Sequence, residues 1–183
     1  GFIPIGDKGR NRPFSGTYDG DGHSISKLYV SGYDDAGMFG YINNACIKNL
    51  NFENANIVVD RVSNVAVAVA NAENSTILNI TASGQIKAVG NFDGATLSGI
   101  VGVSVRSTIS GCVSILSFDV EEANANLIQV AGIAQVEATI SNCLVSTFIK
   151  GTPQRYFPIG DEATISKCIV VESNGIPSEI QPT

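Results

Sequence analysis

Isoleucines mark out a series of related segments along the chain: ISKLYV from Ile25, IKNLNF from Ile47, ILNITA from Ile77, ISGCVS from Ile109, ISNCLV from Ile140 and ISKCIV from Ile165. They are spaced 22, 30, 32, 31 and 25 residues apart. The third and fifth residues after each isoleucine are mostly apolar: Leu28/Val30, Leu50/Phe52, Ile80/Ala82, Cys112/Ser114, Cys143/Val145 and Cys168/Val170. Side chains two residues apart share one face of a strand. The isoleucine is out of phase with them by three, so a corner is predicted in between. The second position after the isoleucine holds Asn49, Asn79, Asn142, Gly111, Lys27 or Lys167. Asn and Gly accept the left-handed backbone that a bend requires. Each unit therefore reads as a strand ending at the isoleucine, a corner, and a second strand.

A second apolar block precedes several of these units: GMFGYI, VAVAVA, GIVGVS and AGIAQV. FIPIGD at residues 2–7 returns as YFPIGD at 156–161. No segment sustains an i, i+3, i+4, i+7 stripe, and short β-rich runs broken by Gly, Asn and Ser dominate. A propeller blade needs about 40 residues. The pattern predicts an all-β parallel β-helix of about six short coils, equivalent residues stacking about 4.8 Å apart. Residues 1–176 are expected to form one β-helix domain. Its first 13 residues serve as an N-terminal cap, with Phe2, Ile3 and Ile5 plugging the first coil. Residues 177–183, with Pro177 and Pro182, are expected to be a tail or linker, since proline ends a ladder.

Composition narrows the partners. Of 183 residues, 44% are hydrophobic and 15% charged, which is globular rather than disordered. A net charge of −6 argues against nucleic acid. No uncharged run reaches the roughly 18 residues of a membrane span, so no membrane insertion is expected. No secretory leader is visible, and the abrupt ends suit a mature or excised piece.

The ladder explains three cysteines. Cys112, Cys143 and Cys168 take the position of Leu28, Leu50 and Ile80, and should be buried, adjacent and unbridged. Parallel side chains hold neighbouring β-carbons wider apart than a disulfide prefers. Cys46 stands outside this ladder. There is no C-x-x-C pair, so zinc has no support.

Candidate chemistry centres on Asp19-Gly20-Asp21-Gly22-His23, which holds the one histidine. An EF-hand-type calcium loop starting at Asp19 would need a glutamate at its twelfth position, where Val30 stands. Asp-Gly pairs form tight turns, so a turn feeding the first coil is expected, with His23 packed against it. Glu73, Glu137 and Glu162, with Arg106, are expected to form a cross-rung charge ladder on a solvated corner. Asp34-Asp35 and Glu121-Glu122 read as solvated loop tips. The sequons at Asn74 and Asn79 and the basic KGRNR of residues 8–12 carry no assignment. No catalytic, cofactor-binding or metal-ligating residue is assigned, and no cofactor is expected.

GIVGVSVRSTISGCVS and AGIAQVEATISNCLV resemble degenerate GLUG repeats, whose core reads G-L-V-G, a short turn, then I-x-N-C. PFSGTYDGDGHSISKLYV and AGMFGYINNACIKNLNF are similar to the opening unit that accompanies those repeats in secreted and surface proteins of bacteria. These include large adhesins and proteins described as immunoglobulin-A-specific metalloproteases. The resemblance covers most of residues 2–171 and implies a right-handed β-helix. A zinc protease would need H-E-x-x-H, which one histidine cannot supply. The resemblance implies a non-catalytic extracellular or cell-surface module with an adhesin-like binding or spacer role. Its expected partners are a host glycan or protein and neighbouring domains of a larger surface protein. The rival is a carbohydrate-active β-helix enzyme, a polysaccharide lyase or hydrolase. Its acids would converge in a groove with Arg61, Arg106 or Arg155.

Overall fold

The computed structural model describes residues 1–60, 64–90, 94–123 and 127–171. The described chain is all-β and winds as a parallel β-solenoid of about five turns. A part turn comes first, with β1 (Thr17–Asp19), β2 (Ser24–Ser26) and β3 (Tyr29–Ser31). The first full turn is β4 (Asp35–Ala36), β5 (Phe39–Asn43) and the long bent β6 (Cys46–Val59). The second is β7 (Asn64–Ala66), β8 (Val69–Glu73) and β9 (Thr76–Ala88). Next come β10 (Ala95–Ser98), β11 (Val101–Val105), β12 (Ser107–Ser110) and β13 (Val113–Asp119). The fourth turn holds β14 (Ile128–Ala131), β15 (Ala134–Gln135), β16 (Ala138–Ser141) and β17 (Leu144–Lys150). The last holds β18 (Arg155–Phe157), β19 (Gly160–Asp161), β20 (Thr164–Ser166) and β21 (Ile169–Val171). Stacking yields a five-stranded sheet β18-β14-β10-β7-β4, a second one β19-β15-β11-β8-β5, and an eleven-stranded sheet from the remaining strands.

Register between turns places like on like. Ile47, Ile77, Ile109, Ile140 and Ile165 form one inward column, continued upward by Tyr18. The apolar blocks upstream stack as Phe39, Val69, Val101 and Ala134. A third column runs Ile57, Ile86, Phe118 and Ile149. These inward residues are fully buried except Ile149, Ile165 and Tyr18, which are partly buried. Burying each of the fully enclosed Val, Ile and Phe side chains contributes about 1.5–3 kcal/mol. A turn can realise that gain only against its neighbours.

The predicted corners have left-handed backbone at all six residues: Lys27, Asn49, Asn79, Gly111, Asn142 and Lys167 have φ of 58, 55, 52, 66, 54 and 53°. The register of the first segment is a correction. Ile25 stands beside Phe52, not Ile47, and Tyr18 takes the isoleucine column. Residues 20–23 bridge β1 to β2 where Asn49 and Leu50 suffice in β6, and this longer turn moves ISKLYV along the sheet. Leu28 therefore lies outside the cysteine ladder, its carbonyl accepting from Asn56 N–H at 2.8 Å.

The proposed plug also differs. Phe2, Ile3 and Ile5 are 38, 70 and 36% exposed. The aromatic closure at this end is Phe14 and Tyr18, whose rings lie 5.3 and 5.6 Å from that of Phe39. The N-terminal segment instead runs along the edge of β5. Ile5 N–H donates to Met38 O and Gly40 N–H to Ile5 O, both at 2.9 Å. The expected boundary at residue 176 and the tail 177–183 lie outside the described residues. No described helix is long and apolar enough to cross a membrane.

Candidate functional site

The Asp19–His23 stretch is a turn wrapped over the corner of β6. Gly20 N–H donates to Lys48 O at 2.9 Å and Gly22 N–H to Asn49 O at 2.8 Å. Gly20 passes so close to β6 that a Cβ would stand 2.5 Å from Asn49 O. Nδ1 of His23 lies 2.9 Å from Gly20 O, which can only accept, so that nitrogen carries a proton. Asp19 Oδ1 accepts from Asn49 Nδ2 and from Asp21 N–H, both at 3.0 Å, and Oδ2 lies 3.0 Å from Lys48 Nζ. Led by the Asn49 bond, these partners lower its pKa from 3.8 to about 2.

Asp19 also anchors a side-chain ladder. Asn79 Nδ2 donates to Asn49 Oδ1 at 3.0 Å, extending the Asn49–Asp19 bond by one rung. At the next rung Gly111 has no side chain; a Cβ there would stand 2.5 Å from Asn79 Oδ1. In front of this corner lies an open trough of about 390 Å³ lined by Asp21, Gly22, Asn49, Asn51, Asn79, Thr81 and Gly111. Its lining is amide, hydroxyl and backbone, with one carboxylate and no cation. Such a surface suits a neutral, hydroxyl-rich ligand.

A second polar cluster lies on the outer side, in the crease between the two five-stranded sheets. Asp35 and Asn64 are register partners from the first sheet; Tyr41 and Asn71 are partners from the second. Asn71 is 1% exposed. Its Oδ1 accepts from Asn64 Nδ2 at 2.8 Å and from Lys8 Nζ at 3.3 Å, and its Nδ2 donates to Gly40 O at 3.2 Å. Lys8 Nζ also lies 3.6 Å from Glu73 Oε1 and 5.8 Å from the centre of the Tyr41 ring. Tyr41 Oη donates to Glu73 Oε2 at 3.1 Å. Burial raises the pKa of Asp35, opposed by a hydrogen bond from the Asn71 side chain and by the Lys8 charge. Asp35 is thus half-buried in a strand, not the solvated tip expected of it; Asp34 is exposed.

The expected charge ladder is off by one. Asn44, Asn74, Arg106, Glu137 and Glu162 share left-handed backbone at successive corners, with φ of 53, 48, 49, 41 and 47°. Glu73 precedes that corner and pairs in register with Asn43 and Val105. Arg106 Nε donates to Asn74 Oδ1 at 2.9 Å. Glu121 and Glu122 do form an exposed tip, at 2.5 Å from Lys150 Nζ and 2.9 Å from Lys87 Nζ. Arg155 is exposed on β18, and Arg61 lies outside the described residues. Among the described residues no group of three or more His, Cys, Asp or Glu is arranged to hold a metal ion.

The cysteines stack as expected. All four are unbridged; Cys112 and Cys143 are buried as expected, whereas Cys168, in the last described turn and expected to be buried, is only half-buried. The Cys112 and Cys143 thiols donate to the Ser110 and Ser141 carbonyl oxygens at 3.5 and 3.2 Å, and the neighbouring Cys143 sulfur together with burial pushes the pKa of Cys112 up. Cys46 stands apart, between Thr17 and Thr76.

No family model and no solved structure matches the chain. Over 61 residues it is 39% identical to Halomucin of Haloquadratum walsbyi, a match covering 31% of this chain and 1% of Halomucin.

Proposed function

We propose that the chain is a non-catalytic β-solenoid module of an extracellular or cell-surface protein, with an adhesin-like binding role and neighbouring domains on the same polypeptide. The winding is proposed to be right-handed, with the β1–β3 part turn counting as a sixth coil, as the GLUG-like repeats imply. The observation that carries the reading is the polar trough over the asparagine corner. Stacked rungs repeat at about 4.8 Å, a step similar to one sugar unit in an extended glycan. A neutral glycan can therefore set successive hydroxyls against Asn51 and Thr81, register partners on adjacent turns. The local similarity to Halomucin, named as a mucin, agrees with an extracellular setting. A glycan array, followed by affinity electrophoresis in the best neutral polysaccharide, tests the reading. Thr81→Ala and Asn51→Ala should each weaken retardation several-fold. Binding left intact by both variants would remove the trough from the proposal.

A second reading, a carbohydrate-active enzyme, draws on the crease where Asp35 and Glu73 both neighbour Asn71 and Lys8. It requires release of reducing or unsaturated ends from a polysaccharide, abolished by Asp35→Asn and by Glu73→Gln.

A further inference from the structure

Lys8 and Asn71 are 63 residues apart in sequence, and one arrives on the N-terminal segment while the other sits in β8 of the second turn. The ammonium lies 3.3 Å from the side-chain carbonyl oxygen of a buried primary amide, with a carboxylate on either side of the pair. This hydrogen bond holds the amine beside the amide, so that a shift of the Lys8 chain from Oδ1 onto the adjoining Cγ is all that aminolysis requires, and proximity removes the entropic part of the barrier. We infer that Lys8 and Asn71 condense to an intramolecular isopeptide bond, a covalent strap from the N-terminal segment to the second turn.

Each neighbour has a part in the chemistry. Glu73, 3.6 Å from Lys8 Nζ, takes a proton from the ammonium and leaves a nucleophilic amine. The nitrogen lone pair adds to Asn71 Cγ, and the C=O electron pair moves onto Oδ1. Asn64 Nδ2, 2.8 Å away, already donates to that oxygen and stabilises the charge it gains. Collapse of the adduct breaks the Cγ–Nδ2 bond. Asp35, whose carboxyl burial holds in the protonated form to higher pH than usual, is hydrogen-bonded to the Asn71 amide and supplies the proton to the departing nitrogen. Glu73 passes its first proton on to the departing ammonia, which leaves as ammonium, and the second proton of the amine nitrogen returns through Glu73 to Asp35, so that both carboxyl groups end as they began. In sum, one ammonium side chain and one primary amide become one secondary amide and one ammonium ion, with no oxidant or metal. Tyr41 Oη, donating to Glu73 Oε2 at 3.1 Å, is a positioning residue that aims the base at Lys8.

The single methionine supplies a direct test. Cyanogen bromide cuts after Met38, between Lys8 and Asn71. The full chain, incubated until its mass stops changing, is cleaved, reduced and run on a denaturing gel. The expected result is one branched product containing residues 1–38 and 39–183, with a parent mass lower by one ammonia. Tandem mass spectrometry should place the link at Lys8 and Asn71. Lys8→Arg keeps the charge beside Glu73 but offers no competent amine, so it should give two separate fragments and the unreduced parent mass. Glu73→Gln should slow formation at least ten-fold. Two fragments from the native chain would overturn the inference. So would an ammonia loss mapping to Asn174-Gly175, where ordinary succinimide formation occurs and which Lys8→Arg would leave untouched.

Discussion

Asp19 does its work through hydrogen bonds to Asn49, to the Asp21 N–H and to Lys48, all of which favour the charged form. A folded-state pKa below the unfolded one means that the contribution to stability is complete above the unfolded value near 3.8. It is lost as pH falls towards about 2. Asp19→Asn should therefore remove slope from an acid-unfolding curve between about pH 4 and pH 2 and leave the neutral limb's shape unchanged. A slope unchanged by the substitution would refute the coupling. Because the same carboxylate is already taken by protein donors, melting should not respond to calcium or to a chelator. A saturable calcium-dependent rise, lost in Asp21→Asn, would show that the turn is also an ion site. Cys143 is the other decisive residue. Its thiol, 2% exposed, should react with a thiol reagent only after unfolding. Cys143→Asp should destabilise by at least about 3 kcal/mol, since it places a charge without a partner in the stack. A variant that melts like the parent would contradict the ladder.

Among the elements, the corners show what local sequence reveals. The left-handed positions after each isoleucine were legible because Asn49, Asn79, Gly111 and Asn142 are residue types that accept that backbone. The preceding corner was hidden because Arg106, Glu137 and Glu162, residues with no such preference, occupy it, and packing between turns imposes the conformation. Register followed the isoleucines from Ile47 to Ile165 although the turns differ in length, and failed at Ile25, where the Asp21-Gly22 turn adds residues that no periodicity count anticipates. The crease around Asn71 was not legible at all. Its members come from the N-terminal segment, β4, β5, β7 and β8, and only stacking brings them together. The asparagine ladder separates two energies. Asn79→Gly keeps the backbone and loses the bond to Asn49, so it should cost about 1 kcal/mol. Asn79→Ala loses the same bond and adds a left-handed penalty of roughly 1–2 kcal/mol. Urea unfolding of both variants measures the difference; equal losses would mean that the φ of 52° is not a constraint at this corner.

For the whole molecule, the question is how a stack of parallel strands protects its first edge. An exposed edge offers rows of N–H and C=O groups to any other chain. On β5 that edge is occupied by the N-terminal segment, through Ile5 on Met38 and Gly40 and through Phe14 N–H on Tyr41 O at 3.0 Å. The segment is itself closed by Asp7 and Arg12, paired antiparallel, and is held across the crease by Lys8 on Asn71 and Glu73. Phe2, Ile3 and Ile5 contribute little burial, so the segment acts through its backbone and through Lys8 rather than as an apolar plug. Removing residues 1–12 leaves Phe14 and Tyr18 over Phe39 but bares the β5 backbone around Gly40. Two or three backbone bonds and the Lys8 contacts are lost, at about 1 kcal/mol for each bond. A fall in melting temperature of roughly 4–12 °C is expected for a chain of this size. The freed edge should also drive concentration-dependent association, visible as a rising mass in light scattering. The substitution Lys8→Arg, which keeps the segment and its backbone bonds, should stay monomeric. A stable monomer after the deletion would show that β5 needs no cover, and that edge protection at this end rests on the aromatic cluster alone.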